Sequence, residues 1–161
     1  MKKFIGVLLV VFFSTLLQGY SQCNVQSSKG SNGVTFKYLK AENIGNGVGF
    51  ELGASFSASG SNYYFNLNVK YAKKAVNLAG PLIVVLKNSQ SLNLKLTNSQ
   101  INNGKNSELV MGVYSLTSSD IEKLKASPID KIVFQEVGGK SQGVSLLKNF
   151  DIAMRQLKCL E

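Results

Sequence analysis

The clearest pattern in the chain is a strict alternation of apolar and polar residues over two adjacent stretches, 48–58 and 63–71. The apolar positions of the first stretch are Val48, Phe50, Leu52, Ala54, Phe56 and Ala58. Those of the second are Tyr63, Phe65, Leu67, Val69 and Tyr71. A period of two is typical of a half-buried β-strand. Because the short polar run 59–62 between the stretches favours a turn, the pattern predicts a long antiparallel hairpin with one apolar and one polar face.

Weaker patterns predict further strands. Residues 33–40 alternate in the same way, and two short apolar runs flank the turn residues 88–90. Residues 108–116 are apolar on both faces, which is typical of a covered, central strand. A further strand is expected at 130–137, followed by a turn. The polar segments 24–32 and 99–107 favour a flexible lead-in and a long loop.

Two segments have helical signatures. In residues 118–127, Ser119 and Glu122 fit a capping box, and Pro128 ends the helix. Asp120 and Glu122 then lie in the first turn, where carboxylates meet free backbone N–H groups, and we interpret them as capping residues rather than an acid–base pair. A C-terminal helix is predicted within 144–160, where apolar residues recur at helical spacing. These residues are Leu146, Phe150, Met154 and Leu157.

Together these elements predict one α+β domain over residues 22–161. Its core is a mostly antiparallel, curved sheet or sandwich of about seven strands, with two helices, one of them at the C-terminus. The chain length of 161 residues suits a single domain.

Residues 1–21 have the pattern of a signal peptide. A short basic start precedes an apolar run, and small residues at Gly19 and Ser21 predict cleavage before Gln22. The apolar run is short for a membrane span. We therefore expect a periplasmic or extracellular protein whose mature form has no transmembrane span. An uncleaved N-terminal anchor is the alternative.

Cys23 and Cys159 are the two cysteines, and in an oxidising compartment an even count predicts a disulfide bond. A lipid anchor on Cys23 is the competing interpretation. Such sites usually have a leucine-like residue three positions before the cysteine and a small residue directly before it. Tyr20 and Gln22 occupy those positions here.

The net charge of +9 falls to +7 when Lys2 and Lys3 leave with the signal peptide. Arg155 is the only arginine, and arginine is the residue suited to reading phosphates and guanines in two-point contacts, so a nucleic-acid partner is not expected. A basic exported protein favours an anionic glycan, a lipid headgroup or an acidic protein. Alternatively, the lysines only keep a strand-rich protein soluble.

The chain has no histidine, which removes the commonest general base and zinc ligand. No cofactor, no metal site and no catalytic residue is predicted. The glycine-rich run 45–49 opens a strand instead of a helix, unlike a nucleotide-binding loop. A glycosidase-like enzyme of the cell envelope that uses two carboxylates is compatible with the composition and is the alternative function.

The densest basic cluster lies at the end of the second alternating stretch. Its lysines, with nearby tyrosines, predict a ligand-binding site that combines charge with stacking. The candidate residues are Lys70, Lys73, Lys74, Tyr63, Tyr64 and Tyr71. The function predicted is a non-catalytic exported or periplasmic binding module for an acidic or glycan partner.

The run "VYSLTSSDIEKLKASPIDKIVFQEV" at 113–137, with the ending "LKCLE", resembles a pattern found in small exported bacterial α+β proteins of unknown function. The resemblance covers about the last third of the chain. It implies a strand–helix–strand–helix ending and an exported location, and it assigns no functional residue.

Overall fold

The computed structural model describes residues 23–29, 33–103 and 108–161, and the predicted signal peptide lies outside them. The described residues form ten antiparallel strands and two helices, more strands than the seven expected from the sequence. The strands are β1 (Gln26–Lys29), β2 (Thr35–Tyr38), β3 (Glu42–Gly47), β4 (Phe50–Ser59), β5 (Asn62–Tyr71), β6 (Leu78–Leu86), β7 (Ser91–Asn103), β8 (Glu108–Leu116), β9 (Ile129–Glu136) and β10 (Ser141–Ser145). The helices are α1 (Ser118–Ala126) and α2 (Ile152–Leu160). Neither of these helices is long and apolar enough to cross a membrane.

The sheet curls until its two sides meet. Its strand order is β1-β2-β4-β5-β8-β7-β6-β9-β10, and β3 pairs with β4 beside β2. The β10 side of the sheet contacts β3, because the backbone N–H of Leu147, just after β10, donates to the carbonyl of Ile44 on β3 at 3.1 Å. A sheet curved this far encloses the apolar side chains of its inner face.

The predicted hairpin is confirmed as β4 and β5, which pair from Phe50 opposite Tyr71 to Ser59 opposite Asn62. Its apolar face is the inner face, and Phe56 and Phe65 contact edge to face with ring centroids 4.9 Å apart. Full burial of side chains of this size stabilises a fold by about 1.5–3 kcal/mol each. The inner face of this hairpin is therefore the centre of the core.

The N-cap of helix α1 lies two residues before the predicted one. Thr117 is the N-cap: its hydroxyl accepts from the Asp120 backbone N–H at 3.2 Å, and the Asp120 carboxylate accepts from the Thr117 backbone N–H at 2.9 Å. Asp120 is thus a capping residue, as expected, but the capping box joins Thr117 to Asp120 rather than Ser119 to Glu122, and Glu122 lies beyond the first turn. Thr117, Ser118 and Ser119 are consecutive hydroxyl residues of the kind that can cap a helix, and the structure uses the first.

Helix α2 packs on β4 and completes its edge. Between the segments of β4 that pair with β3 and β2, the Phe56 backbone N–H donates to the side-chain oxygen of Gln156 at 2.9 Å. Gln156 is buried, and its amide nitrogen donates in turn to the Lys40 carbonyl at 3.2 Å. One glutamine side chain therefore supplies the hydrogen bond that a neighbouring strand would otherwise give.

The predicted disulfide between Cys23 and Cys159 is confirmed, with the Cα atoms 5.4 Å apart. It joins the segment before β1 to the last turn of α2 and closes nearly the whole domain into one covalent loop. A disulfide of this kind indicates an oxidising, non-cytoplasmic compartment.

Three predicted segments differ from the structure. The polar lead-in contains β1, which pairs with β2, and β7 continues through Asn103 into the predicted loop. The C-terminal helix begins only at Ile152, because residues 141–145 pair with β9 and the backbones of Leu146, Leu147 and Phe150 hydrogen-bond to other segments. Leu146 and Phe150 therefore lie outside the helix, and the open edge of β9 outweighs the local helical spacing.

Candidate binding surface at one end of the sheet

Three connections of the sheet meet at one end of the molecule. They are the turn 48–49 between β3 and β4, the segment 72–77 between β5 and β6, and the turn 137–140 between β9 and β10. Ala72 donates its backbone N–H to the Gly49 carbonyl at 2.9 Å, and Val137 donates its own to the Asn77 carbonyl at 2.9 Å. The segment 72–77, here named the lysine loop, therefore runs from one turn to the other. The two turns are close, because Phe50, which follows the first, and Glu136, which precedes the other, both contact Tyr71.

The lysine loop is also held at its middle. Ala75 is buried, and its backbone N–H donates to the carboxylate of Glu108 on β8. Lys73 and Lys74 precede this anchor and are exposed. The loop thus has three fixed points on its backbone, while its two lysine side chains extend into solvent.

The charge at this end is positive. Lys70, Lys73, Lys74 and Lys140 are all exposed. Lys70 forms a loose ion pair with Glu51, 3.7 Å between nitrogen and oxygen. In the part of the chain that the structure describes, Lys73 and Lys74 have no carboxylate within 4.0 Å. Accepting a hydrogen bond does not remove the charge of a carboxylate, so the positive excess at this end is only that of four lysines over Glu51, Glu108 and Glu136.

Tyr71 does not belong to this exposed surface. Its side chain is 8% exposed, its ring centroid lies 6.0 Å from that of Phe50, and its hydroxyl donates to Glu136 Oε1 at 2.9 Å. Burial, and then the hydrogen bond to Glu136, raise the pKa of Tyr71 well above its ordinary value, so the hydroxyl stays a proton donor. The expectation that Tyr71 offers a surface for stacking is therefore corrected: its ring is part of the core.

The other two tyrosines lie at the opposite end of β5. Six strand positions separate Tyr64 from Lys70, which corresponds to about 20 Å. Tyr64 shares the outer face with Lys70, whereas Tyr63 alternates to the inner face and packs against the core. The structure thus places the three predicted lysines at one end, separates them from Tyr63 and Tyr64, and buries the ring of Tyr71 beside Lys70.

Local sequence reasoning missed Lys140 and Glu108 as members of this surface. Each is far along the chain from the lysine loop. Glu108 reaches the loop because β8 pairs with β5 and sets Glu108 opposite Tyr71, and Lys140 because the turn after β9 begins beside Asn77. Lys140 directly follows the glycines of the turn 137–140, which is the one local signal that it is displayed at a tip.

An open groove of about 440 Å³ lies beside the lysine loop, and Phe50, Tyr71 and Lys70 contribute to its lining. The glycine-rich run forms another part of it. A β-carbon on Gly47 would lie 2.1 Å from the Phe50 ring, and Gly49 has a φ of +84° in the turn. Both glycines are therefore required by the turn between β3 and β4, as expected for a turn that leads into a strand.

A second polar cluster joins β3 to α2. Arg155 donates to both carboxylate oxygens of Glu42, at 2.9 and 3.2 Å, and to Asp151 at 3.0 Å. The hydrogen bond from Arg155 is the main reason that the pKa of Glu42 is lowered, and the same pair raises the pKa of Arg155. A carboxylate held ionised between such partners is a poor proton donor, so the cluster fits a structural ion pair better than a general acid. No group of three or more potential metal ligands gathers among the described residues.

Comparison of the chain with protein-family models, with curated proteins and with solved structures found no match.

Proposed function

We propose that the protein is a non-catalytic exported binding module whose lysine loop holds an acidic partner: an anionic glycan, a lipid headgroup or an acidic protein. The observation that carries this proposal is the display of Lys73 and Lys74 on a loop whose backbone is anchored at Ala72, Ala75 and Asn77. An anchored loop loses little conformational freedom when a partner binds, which lowers the cost of association.

The exposed lysines determine the strength and the salt dependence of the expected binding. Their attraction is screened over about 8–10 Å at ordinary ionic strength. Lysine is a compact charge on a flexible stem and demands little geometry of its partner. We therefore expect weak, rapidly reversible and salt-sensitive binding.

The alternative, a carboxylate enzyme of the cell envelope, has less support. Glycosidases place two carboxyl groups on opposite sides of the scissile bond, and one of them has a raised pKa. Glu42 and Asp151 are the described carboxylates that share a partner, and both are bound to Arg155. The shift of the Glu42 pKa is downward, opposite to the shift that a general acid needs.

A matched pair of double variants tests the proposal. Lys73→Ser with Lys74→Ser removes two charges from the loop. Lys148→Ser with Lys158→Ser removes two charges from exposed sites at the other end, beyond β10 and on α2. Retention of the exported protein is measured on an anionic polysaccharide, on anionic vesicles and on neutral supports, at low and high salt.

We expect the loop variant alone to lose most of its low-salt retention on at least one of the anionic supports. Equal losses in the two variants would mean that only net charge matters, and the proposal would fail. Tyr64→Ser separates charge from stacking: because Tyr64 lies about 20 Å from the lysines, its loss should leave retention by the loop unchanged.

A further inference from the structure

The geometry points to a specific partner for this end of the molecule: we propose that it docks on the surface of an anionic lipid bilayer, with Val48 and Val137 inserted among the headgroups. This inference rests on the proposed function and names the partner within it. The residues Val48, Val137, Lys70, Lys73, Lys74 and Lys140 are together named the docking end.

Each valine stands at the tip of a turn. Val48 is fully exposed in the two-residue turn between β3 and β4, and Val137 is 58% exposed at the start of the turn between β9 and β10. A single exposed apolar residue on a protein surface is ordinary. Here two of them lie on tips at the same end of the molecule, which also displays four exposed lysines.

The lysine loop links the two tips directly. Its first residue bonds to Gly49, the neighbour of Val48, and its last residue bonds to Val137 itself. Lys73 and Lys74 therefore lie on the path between the valines. Lys140 is in the same turn as Val137. Lys70 is the last but one residue of β5 and lies opposite Glu51 of β4, the strand that follows the turn of Val48.

This combination distinguishes a membrane surface from the other acidic partners. An anionic glycan would complement the lysines but would leave both valines in water. The headgroup region of an anionic bilayer provides negative charge for the lysines and an apolar boundary for the valines at the same depth. The valines are small, so the insertion is shallow and the docking reversible.

The expected magnitudes follow from these contacts. Each lysine near an anionic surface strengthens binding by about fivefold at low salt, so removal of Lys73 and Lys74 should weaken vesicle binding roughly 30-fold. Val48→Thr and Val137→Thr keep the β-branched shape while replacing a methyl group by a hydroxyl. Each should weaken binding about fourfold.

The first experiment measures sedimentation of the exported protein with vesicles of phosphatidylglycerol and phosphatidylcholine, and with phosphatidylcholine alone. The variants are the valine pair changed to threonine, the lysine pair changed to serine, and Leu147→Thr as the control. Leu147 is 70% exposed and lies beyond β10, away from the docking end. We expect binding to the anionic vesicles only, weakened by the first two variants and unchanged by the third.

The second experiment reports insertion directly. The chain has no tryptophan, so Val48→Trp, Val137→Trp or Leu147→Trp each introduces a unique fluorophore. Emission from the first two should shift to shorter wavelength when anionic vesicles are added, and emission from the third should not. Loss of the emission shift at high salt would confirm that electrostatic attraction by the lysines brings the protein to the vesicle.

Two outcomes separate this inference from the proposed function. If the lysine pair is needed for retention on an anionic polysaccharide but tryptophan at position 48 or 137 shows no shift with vesicles, the binding module stands and the membrane partner is wrong. If the lysine variant binds every anionic support as strongly as the wild type, both proposals are wrong. Equal binding to neutral vesicles would also overturn the membrane inference.

Discussion

The hydrogen bond between Tyr71 and Glu136 crosses the interior from β5 to β9, directly beneath the lysine loop. Glu136 is 6% exposed, and the Tyr71 hydroxyl donates to it at 2.9 Å. In Tyr71→Phe the same carboxylate oxygen keeps only the longer contact from Gln142, at 3.5 Å. The variant therefore leaves a buried carboxylate poorly satisfied while hardly changing the packing of the ring.

The expected cost is that of a hydrogen bond to a charged group. Such bonds contribute about 1.5–3 kcal/mol when the partner stays buried. For a domain of this size that corresponds to a decrease in the melting temperature of about 5–10 °C. By contrast, Tyr71→Phe combined with Glu136→Met removes both polar partners, and replacing both by apolar groups of similar shape can be nearly neutral.

The assay is urea unfolding followed by circular dichroism, for the wild type, the two single variants and the double variant. We expect Tyr71→Phe to lose stability and the double variant to recover most of the loss. A change of less than about 0.5 kcal/mol in the single variant lies within the range of ordinary surface substitutions. That result, or a double variant as unstable as the sum of the singles, would refute the role assigned to this hydrogen bond.

Three further predictions concern stability. Replacing Cys23 and Cys159 by serine should lower the free energy of unfolding by up to about 5 kcal/mol, because the bridge closes a loop across a sequence separation of 136 residues. Unfolding with and without reductant measures this loss, and an unchanged unfolding midpoint would contradict the prediction. Thr117→Ala should cost about 1 kcal/mol through the lost cap of α1, whereas an exposed control, Ser118→Ala, should cost less. The Glu42–Arg155 pair should stabilise the fold above the ordinary pKa of a glutamate and lose this effect as pH falls through the lowered pKa of Glu42. Glu42→Gln should thus be less stable than the wild type at neutral pH, with the difference shrinking below about pH 4; a constant difference across this range would exclude the linkage.

Except at Val48, which lies fully exposed in the turn before β4, the alternation of residues 48–58 and 63–71 was sufficient to predict β4 and β5, their turn and their buried face, because side chains of a strand point to opposite faces at every step. It also assigned Tyr71 to the inner face. The expectation of a surface role for Tyr71 came from its closeness in sequence to the lysines and ignored that alternation. The cap of α1 was likewise predictable to within two residues, since capping depends on hydrogen bonds between near neighbours.

The additional strands depended on tertiary structure. Residues 26–29 and 141–145 have little apolar pattern of their own, and they become strands because β2 and β9 offer unpaired edges. The candidate surface has the same origin. Local sequence placed the three lysines together, but the anchors of the lysine loop come from Gly49, Glu108 and Val137, which hydrogen-bond to it only when the strands of the sheet have paired. Hydrogen bonds between residues distant in sequence leave no periodic signal in either segment, so only the folded chain decides which residues share this end.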